Sequence, residues 1–437
     1  MRTLIFYLLV GLFCLLLVAC QNDGSLAGEV VGEAASSVEA TPSVTVEPVA
    51  TKVVIVTPPS TVVKIWGPVE LSPQSEGEEG QVLREQIRVF EASHPGVEIV
   101  YEPKPVTGAA SVLNYASSAR AVASGVLPDL VILPSTDLKQ AVQAELLFPL
   151  DDLVAEGLRN DFYTFATRDV RVDGKLFALP LTVQVEHGLV RDESPQMALT
   201  LLEELLNDDA PTWLFTGQAL KEGEMSNALL LQLISINEKL PTAEALPSRD
   251  KFVALFTTLH TAQQVGTIPR QVLSLDNHIE LYERLRSGQA DLIESNSRQF
   301  MLEREREENI LFTRLPTLTG VSMAVIDGYV IAISTEDPNK QQTAILYLKW
   351  MLEASRLAEW NKAYRGLPPR RSSLKDTVED EIYRTFLAEQ LENGWLRPSG
   401  TAWHDFAQII QEQFRAVMLE QISPTEAVDT ILGTYEQ

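Results

Sequence analysis

A chain of 437 residues, 45% apolar and 22% charged, is long enough for two or three domains with real cores, which excludes a disordered or low-complexity protein. Its 60 acidic and 35 basic side chains leave a formal net charge of −25. Bulk charge of that sign repels nucleic-acid backbones and anionic lipid, so neither is expected as a partner of the folded part.

Residues 3–19 are nearly all apolar behind Arg2, and the run ends at Leu17-Val18-Ala19-Cys20. A membrane-spanning helix needs about 20 apolar residues, so this shorter run, with small Ala19 before a cysteine, predicts a cleaved signal segment over 1–19. The tetrad resembles a bacterial lipobox, which implies that Cys20 is lipidated and begins the mature chain, outside the cytoplasm and anchored to the cell membrane by that lipid alone. Cys14 and Cys20 are the only cysteines, so the folded part has neither a disulfide nor a cysteine metal ligand. Residues 21–61 are rich in Val, Thr, Ser, Pro, Glu and Ala and lack a helical period. They predict a disordered tether with a reach of about 35 Å.

Val62–Trp66 is a short apolar run ended by Gly67-Pro68. Val82, Leu83, Ile87 and Phe90 then mark one face of a helix that stops at His94-Pro95-Gly96. Val97, Ile99 and Tyr101 alternate as a strand, a second helix is expected over 110–124 with Gly125 as a left-handed cap, and Pro128–Leu133 reads as a strand buried on both faces. This β-α-β-α-β order predicts an open α/β sheet, and such sheets take ligands at the C-terminal ends of their strands. Loops 67–77 and 134–137 are therefore candidate ligand loops.

Asp173-Gly174 reads as a hairpin turn, and Val183 and Val185 continue as an extended chain. Pro180 is expected to keep this segment out of the middle of an antiparallel sheet. Helices follow at 199–206, 225–236, 252–259 and 279–285, with a short strand at Trp213–Phe215. Further helices are expected at 338–362, 379–393 and 402–420. Asp337-Pro338 gives a helix start, and Ser423-Pro424-Thr425-Glu426 a capping box for the last helix. The run Glu303 to Glu308 reads as a solvated helical face.

Three stretches carry a family resemblance: Asp173–Pro180 with its D-G-K-x-[FY]-x-L-P pattern, Gly288-Gln289-Ala290-Asp291-Leu292-Ile293, and Leu315-Pro316-Thr317 followed by Asp327–Ile333. They resemble the extracellular solute-binding proteins of ABC importers, the family that includes maltose-binding protein. The resemblance implies an α/β, two-lobed periplasmic-binding-protein-like (Venus flytrap) fold with three interlobe crossovers. On that pattern the N-terminal lobe is 62–183 plus 294–328, and the more helical C-terminal lobe is 187–291 plus 331–437. It also implies a monomer that captures a small solute, most simply a sugar or oligosaccharide, and delivers it to an ABC permease. Sugar-binding members commonly show Y-N-[KR]-D after the first crossover, where Leu189-Val190-Arg191-Asp192 keeps only the last two residues.

A sugar site needs flat apolar surfaces and a few fixed hydrogen-bonding groups. The aromatic candidates are Trp66 at the end of the first strand, Tyr329 at the third crossover and Trp403, which falls where the resemblance implies a stacking tryptophan. Polar candidates are Glu70 in the first loop, Ser135 and Thr136 after the third strand, Gln184 at the first crossover and Asn296 at the second. The cationic cluster Arg365, Arg370 and Arg371 leaves an anionic ligand open. Enzyme motifs are absent: there is no G-x-S-x-G elbow, Walker A, H-E-x-x-H or G-x-G-x-x-G, and the five histidines are scattered without ligand spacing. No cofactor, metal or catalytic residue is expected. Two other functions fit the same sequence, a lipoprotein glycan hydrolase with a carboxylate pair and a ligand-sensing lipoprotein without transport.

Overall fold

The computed structural model describes residues 61–435 except 123, 193–198, 208, 220–223, 243–244 and 306–308. The expected signal segment, Cys20, nearly all of the tether and part of the 303–308 run lie outside the described residues.

The β-branched run at the start of the domain becomes β1 (Thr61–Pro68), in parallel register with β2 (Val97–Lys104) on one side and β3 (Leu130–Pro134) on the other. Every residue of β3 is buried, as a strand covered on both faces requires. The helix Glu78–Ser93 crosses between β1 and β2 and buries Leu83, Gln86 and Phe90 at helical spacing. Helix Val112–Val122 makes the next crossover. After it, Gly125 lies in a short turn, Ser124–Val126, and its φ is not positive, so the expected left-handed cap is replaced by a 3₁₀ turn.

Asp173 and Gly174, both with positive φ, close the two-residue hairpin of β4 (Arg171–Val172) and β5 (Lys175–Leu176). The chain then enters β6 (Leu179–Arg191), which joins two halves of one sheet. Its first residues pair antiparallel with β10 (Ala324–Ile333), which in turn pairs antiparallel with β3. Its last residues pair antiparallel with β8 (Leu292–Asn296) on one side and β9 (Ile310–Thr313) on the other. β7 (Trp213–Leu214) extends β8 in parallel, and β11 (Gly394–Leu396) extends β10.

Contrary to the expectation from Pro180, β6 is a central strand of this sheet. The proline is tolerated because it pairs only with Val330, at a register shift between Tyr329 and Val330, before β8 and β9 join the ladder. The expected helix at 199–206 is a five-residue 3₁₀ turn, Leu202–Leu206, because the Glu204 carboxylate turns back to accept from the backbone of Thr200 and Leu201. The expected helix 338–362 is two helices, Pro338–Met351 and Ala354–Tyr364, broken at Glu353, whose carboxylate accepts from the Ser355 hydroxyl. Asp337 caps the first of them through the Asn339 amide at 2.9 Å, as expected.

Among the described residues, no helix is long and apolar enough to cross a membrane.

Candidate functional site

Strand ends and the middle of β6 converge on a chamber of about 420 Å³. Glu70, in the turn after β1, and Thr136, in the turn after β3, come from one side. β6 supplies Thr182, Val183 and Gln184, and β10 supplies Asp327, Gly328 and Tyr329. The facing wall holds Glu224, Arg298 and Tyr364.

The Tyr329 hydroxyl donates to Glu70 Oε1 at 2.8 Å, tying β10 to the first loop. Burial, helped by nearby Tyr364 and Glu70, keeps the Tyr329 phenol protonated well above its usual range. Arg298 donates to the Tyr364 carbonyl at 3.2 Å and lies 4.5 Å from that ring's centroid. Burial pushes the Tyr364 phenol up to about 12, and its ring stacks on Trp360 at 5.5 Å and 2°. Asp327 accepts from the Gly328 amide at 2.8 Å and has no ion pair among the described residues.

A second chamber of about 360 Å³ adjoins the first. Ser135 lines one and Thr136 the other, and the buried ion pair of Arg397 with Glu224, 3.1 Å, spans the wall between them. Lys139, Arg168 and Arg171 approach from one side; Pro241, Pro398 and Trp403 complete it.

Of the residues singled out in the sequence, the structure brings Glu70, Thr136, Gln184 and Tyr329 into the first chamber and Ser135 and Trp403 into the second. Trp66 lines neither: it is 3% exposed, its indole donates to Glu102 at 2.8 Å, and Tyr115 packs edge-on at 5.0 Å. Asn296 caps the helix Ser297–Arg304 by accepting from the Gln299 amide at 2.9 Å. The three arginines of the cationic cluster are taken up in ion pairs, Arg365 with Glu305, Arg370 with Asp161 and Arg371 with Glu392, and line neither chamber. Sequence reasoning did not single out Arg298, Tyr364, Asp327 and Glu224. Asp327 had a signal in its place two residues before Tyr329 on one strand face, whereas Glu224 reaches the site only through tertiary packing.

Behind the floor of the first chamber lies a buried ionisable cluster. Glu186 follows Gln184 on the same face of β6. Burial and the neighbouring Glu294 raise its carboxyl well above the usual range; burial likewise raises Glu294, which accepts from the Thr216 amide at 2.9 Å and hydroxyl at 2.7 Å. The amide of Asn296, oriented by its capping role, faces His278 Nδ1 at 2.9 Å, so Nδ1 accepts and Nε2 bears the proton that faces Glu186 Oε2 at 3.4 Å. Glu186 and Glu294 are 3% and 0% exposed, so this pair does not flank a substrate bond. Among the described residues, no group of three or more His, Cys, Asp or Glu is set to hold a metal ion.

A family model described as bacterial extracellular solute-binding protein matches residues 85–385, well over half the chain. The chain belongs to that family. No curated sequence matches this solute-binding protein significantly, but solved structures share its fold. The cyclic α-maltosyl-1,6-maltose binding protein of Arthrobacter globiformis is 15% identical, with a TM-score of 0.72 over 86% of this chain and 99% of that one. The sugar-binding protein MalE of Xanthomonas citri is 20% identical, with a TM-score of 0.66 over 86% and 96%. Maltose-bound MalE3 of T. maritima is 16% identical, with a TM-score of 0.63 over 86% and 99%. The fold is accordingly the two-lobed, α/β periplasmic-binding-protein fold.

Proposed function

We propose that this solute-binding protein captures a sugar or oligosaccharide in the cleft and delivers it to an ABC permease, without catalysis. The observation that favours this reading is the composition of the first chamber. Glu70 and Asp327 offer carboxylates to accept from hydroxyls, Arg298 and Gln184 offer donors, and the rings of Tyr329 and Tyr364 give apolar faces. Saccharide-binding neighbours of the same fold support the same ligand class. The lobes close over ligand by bending where β6 and β10 pass between them, and the closed form is the one that docks on the permease. Lipidation at Cys20, with 21–61 as tether, keeps the protein at the outer face of the membrane.

Thermal unfolding of the full chain against mono- and oligosaccharides, polyols and amino acids tests this. A ligand at a thousand times its dissociation constant adds about 4 kcal/mol, a rise on the order of 5 °C for a chain of this size. A saturable rise with one saccharide class, the saccharide recovered intact, is expected. No rise with any saccharide ends the sugar reading, and breakdown of the saccharide that gives a rise ends the non-catalytic part of it.

A further inference from the structure

Charge divides the cleft along its length. Glu70, Glu224 and Asp327 stand against Arg298 alone in the chamber beside β6. The chamber beside Trp403 has the opposite sign, with Lys139, Arg168, Arg171 and Arg397 against Asp169. In a chain of net charge −25, four cations gathered on one concave surface run against the field of the whole protein.

Part of that positive charge is already engaged. Arg168 grips Asp169 through Nε at 2.5 Å and through its terminal nitrogen at 2.8 Å, and its guanidinium lies 3.3 Å from the Trp395 ring centroid. Arg171 meets Asp151 at 3.1 Å and Arg397 meets Glu224 at 3.1 Å, so three of the four cations are paired. Lys139 is exposed and its ammonium pairs with no carboxylate among the described residues. Three residues of the same lining, each at least nine-tenths buried, also hold a polar atom without a partner among the described residues: Ser135 Oγ, Arg397 Nε and Trp403 Nε1. All three can donate, and a buried donor left unpaired is costly. Unspent donors set just beneath the lining, beside a free ammonium upon it, are suited to a group that only accepts and carries negative charge. The first chamber, where Glu70 and Asp327 make no ion pair among the described residues, is suited to groups that donate, as hydroxyls do.

We propose that the second chamber is an anion subsite and that the cleft takes an acidic saccharide, its carboxylate or sulfate ester held by Lys139 with Ser135, Arg397 and Trp403 while its neutral hydroxyls fill the first chamber. This rests on the saccharide reading above and narrows it from sugars in general to acidic ones.

Calorimetric titration of the full chain with matched pairs tests it: α-1,4-galactotriose against trigalacturonate, and lactose against lactose 3′-sulfate. The acidic member of at least one pair should bind ten-fold or more tighter in 50 mM salt, and the advantage should shrink in 500 mM. The pair that shows it tells carboxylate from sulfate. Lys139→Gln should cut the advantage several-fold and Lys139→Arg should keep most of it; Lys139 is exposed, so neither variant threatens folding. Equal affinities within each pair, or an advantage unmoved by Lys139→Gln, would overturn the anion subsite while leaving the saccharide reading intact. Heat from no saccharide, neutral or acidic, removes both together.

Discussion

Single side chains set the chemistry of the cleft and its response to pH. Tyr329→Phe removes the hydrogen bond to Glu70. It should lower stability by about 1 kcal/mol and weaken saccharide binding, measured by urea denaturation and calorimetry; unchanged affinity would take Tyr329 out of the site. The buried cluster makes a two-sided pH prediction. Glu186 has its folded pKa raised, so its contribution is complete below the unfolded value and is lost as pH climbs through the raised one. His187 and His278, both fully or nearly buried, are pushed down to about 4 from 6.5, so they favour the fold above 6.5 and cost stability as pH falls towards 4. Each is worth about 3 kcal/mol at the acid end. Melting temperature should therefore fall on both sides, with Glu186→Gln flattening the alkaline limb and His187→Gln the acid limb. Little of this was legible in the sequence, where His187 and His278 look like any scattered histidines. Glu70, Gln184 and Tyr329 were legible because strand ends and a crossover motif locate them; Trp66 has the same strand-end position, but its ring turns towards Glu102 and Tyr115, a choice made by packing.

At the scale of elements, apolar periodicity was enough to find β1, β2, β3 and the helices around them, since each buries one stripe or both faces in a parallel arrangement. The break at Glu353 escaped it because two helices in sequence keep the apolar phase of one. β11 and β9 escaped because short edge strands have too few residues to show alternation. The pairing of β10 with β6 depends on a close approach: a Cβ on Gly328 would come within 2.3 Å of the Thr182 carbonyl oxygen and 2.8 Å of Val183 Cα, both backbone atoms. Gly328→Ala should therefore cost on the order of 2 kcal/mol and disturb the first chamber as well, seen as a lower melting temperature together with weaker ligand binding. A variant as stable as the parent would show that the two strands part without cost.

For the whole molecule, net charge competes with surface ion pairs. Arg249–Asp429 and Arg270–Glu420 are about half exposed on both partners, and exposed pairs of this kind contribute little. Salt weakens those pairs, but it also screens the repulsion of a −25 body, which acts across the entire surface. The melting temperature should rise between 10 mM and 0.5 M NaCl; a fall would mean that the pairs outweigh the repulsion. The sheet order has a consequence in time. β3 ends at Pro134, and the strand that lies between it and β6 begins only at Ala324. During synthesis the early strands thus present an open edge until the late segment emerges, and pairing across such a separation is slow. A chain wired this way cannot close its central sheet until Ala324 and the residues after it have been made.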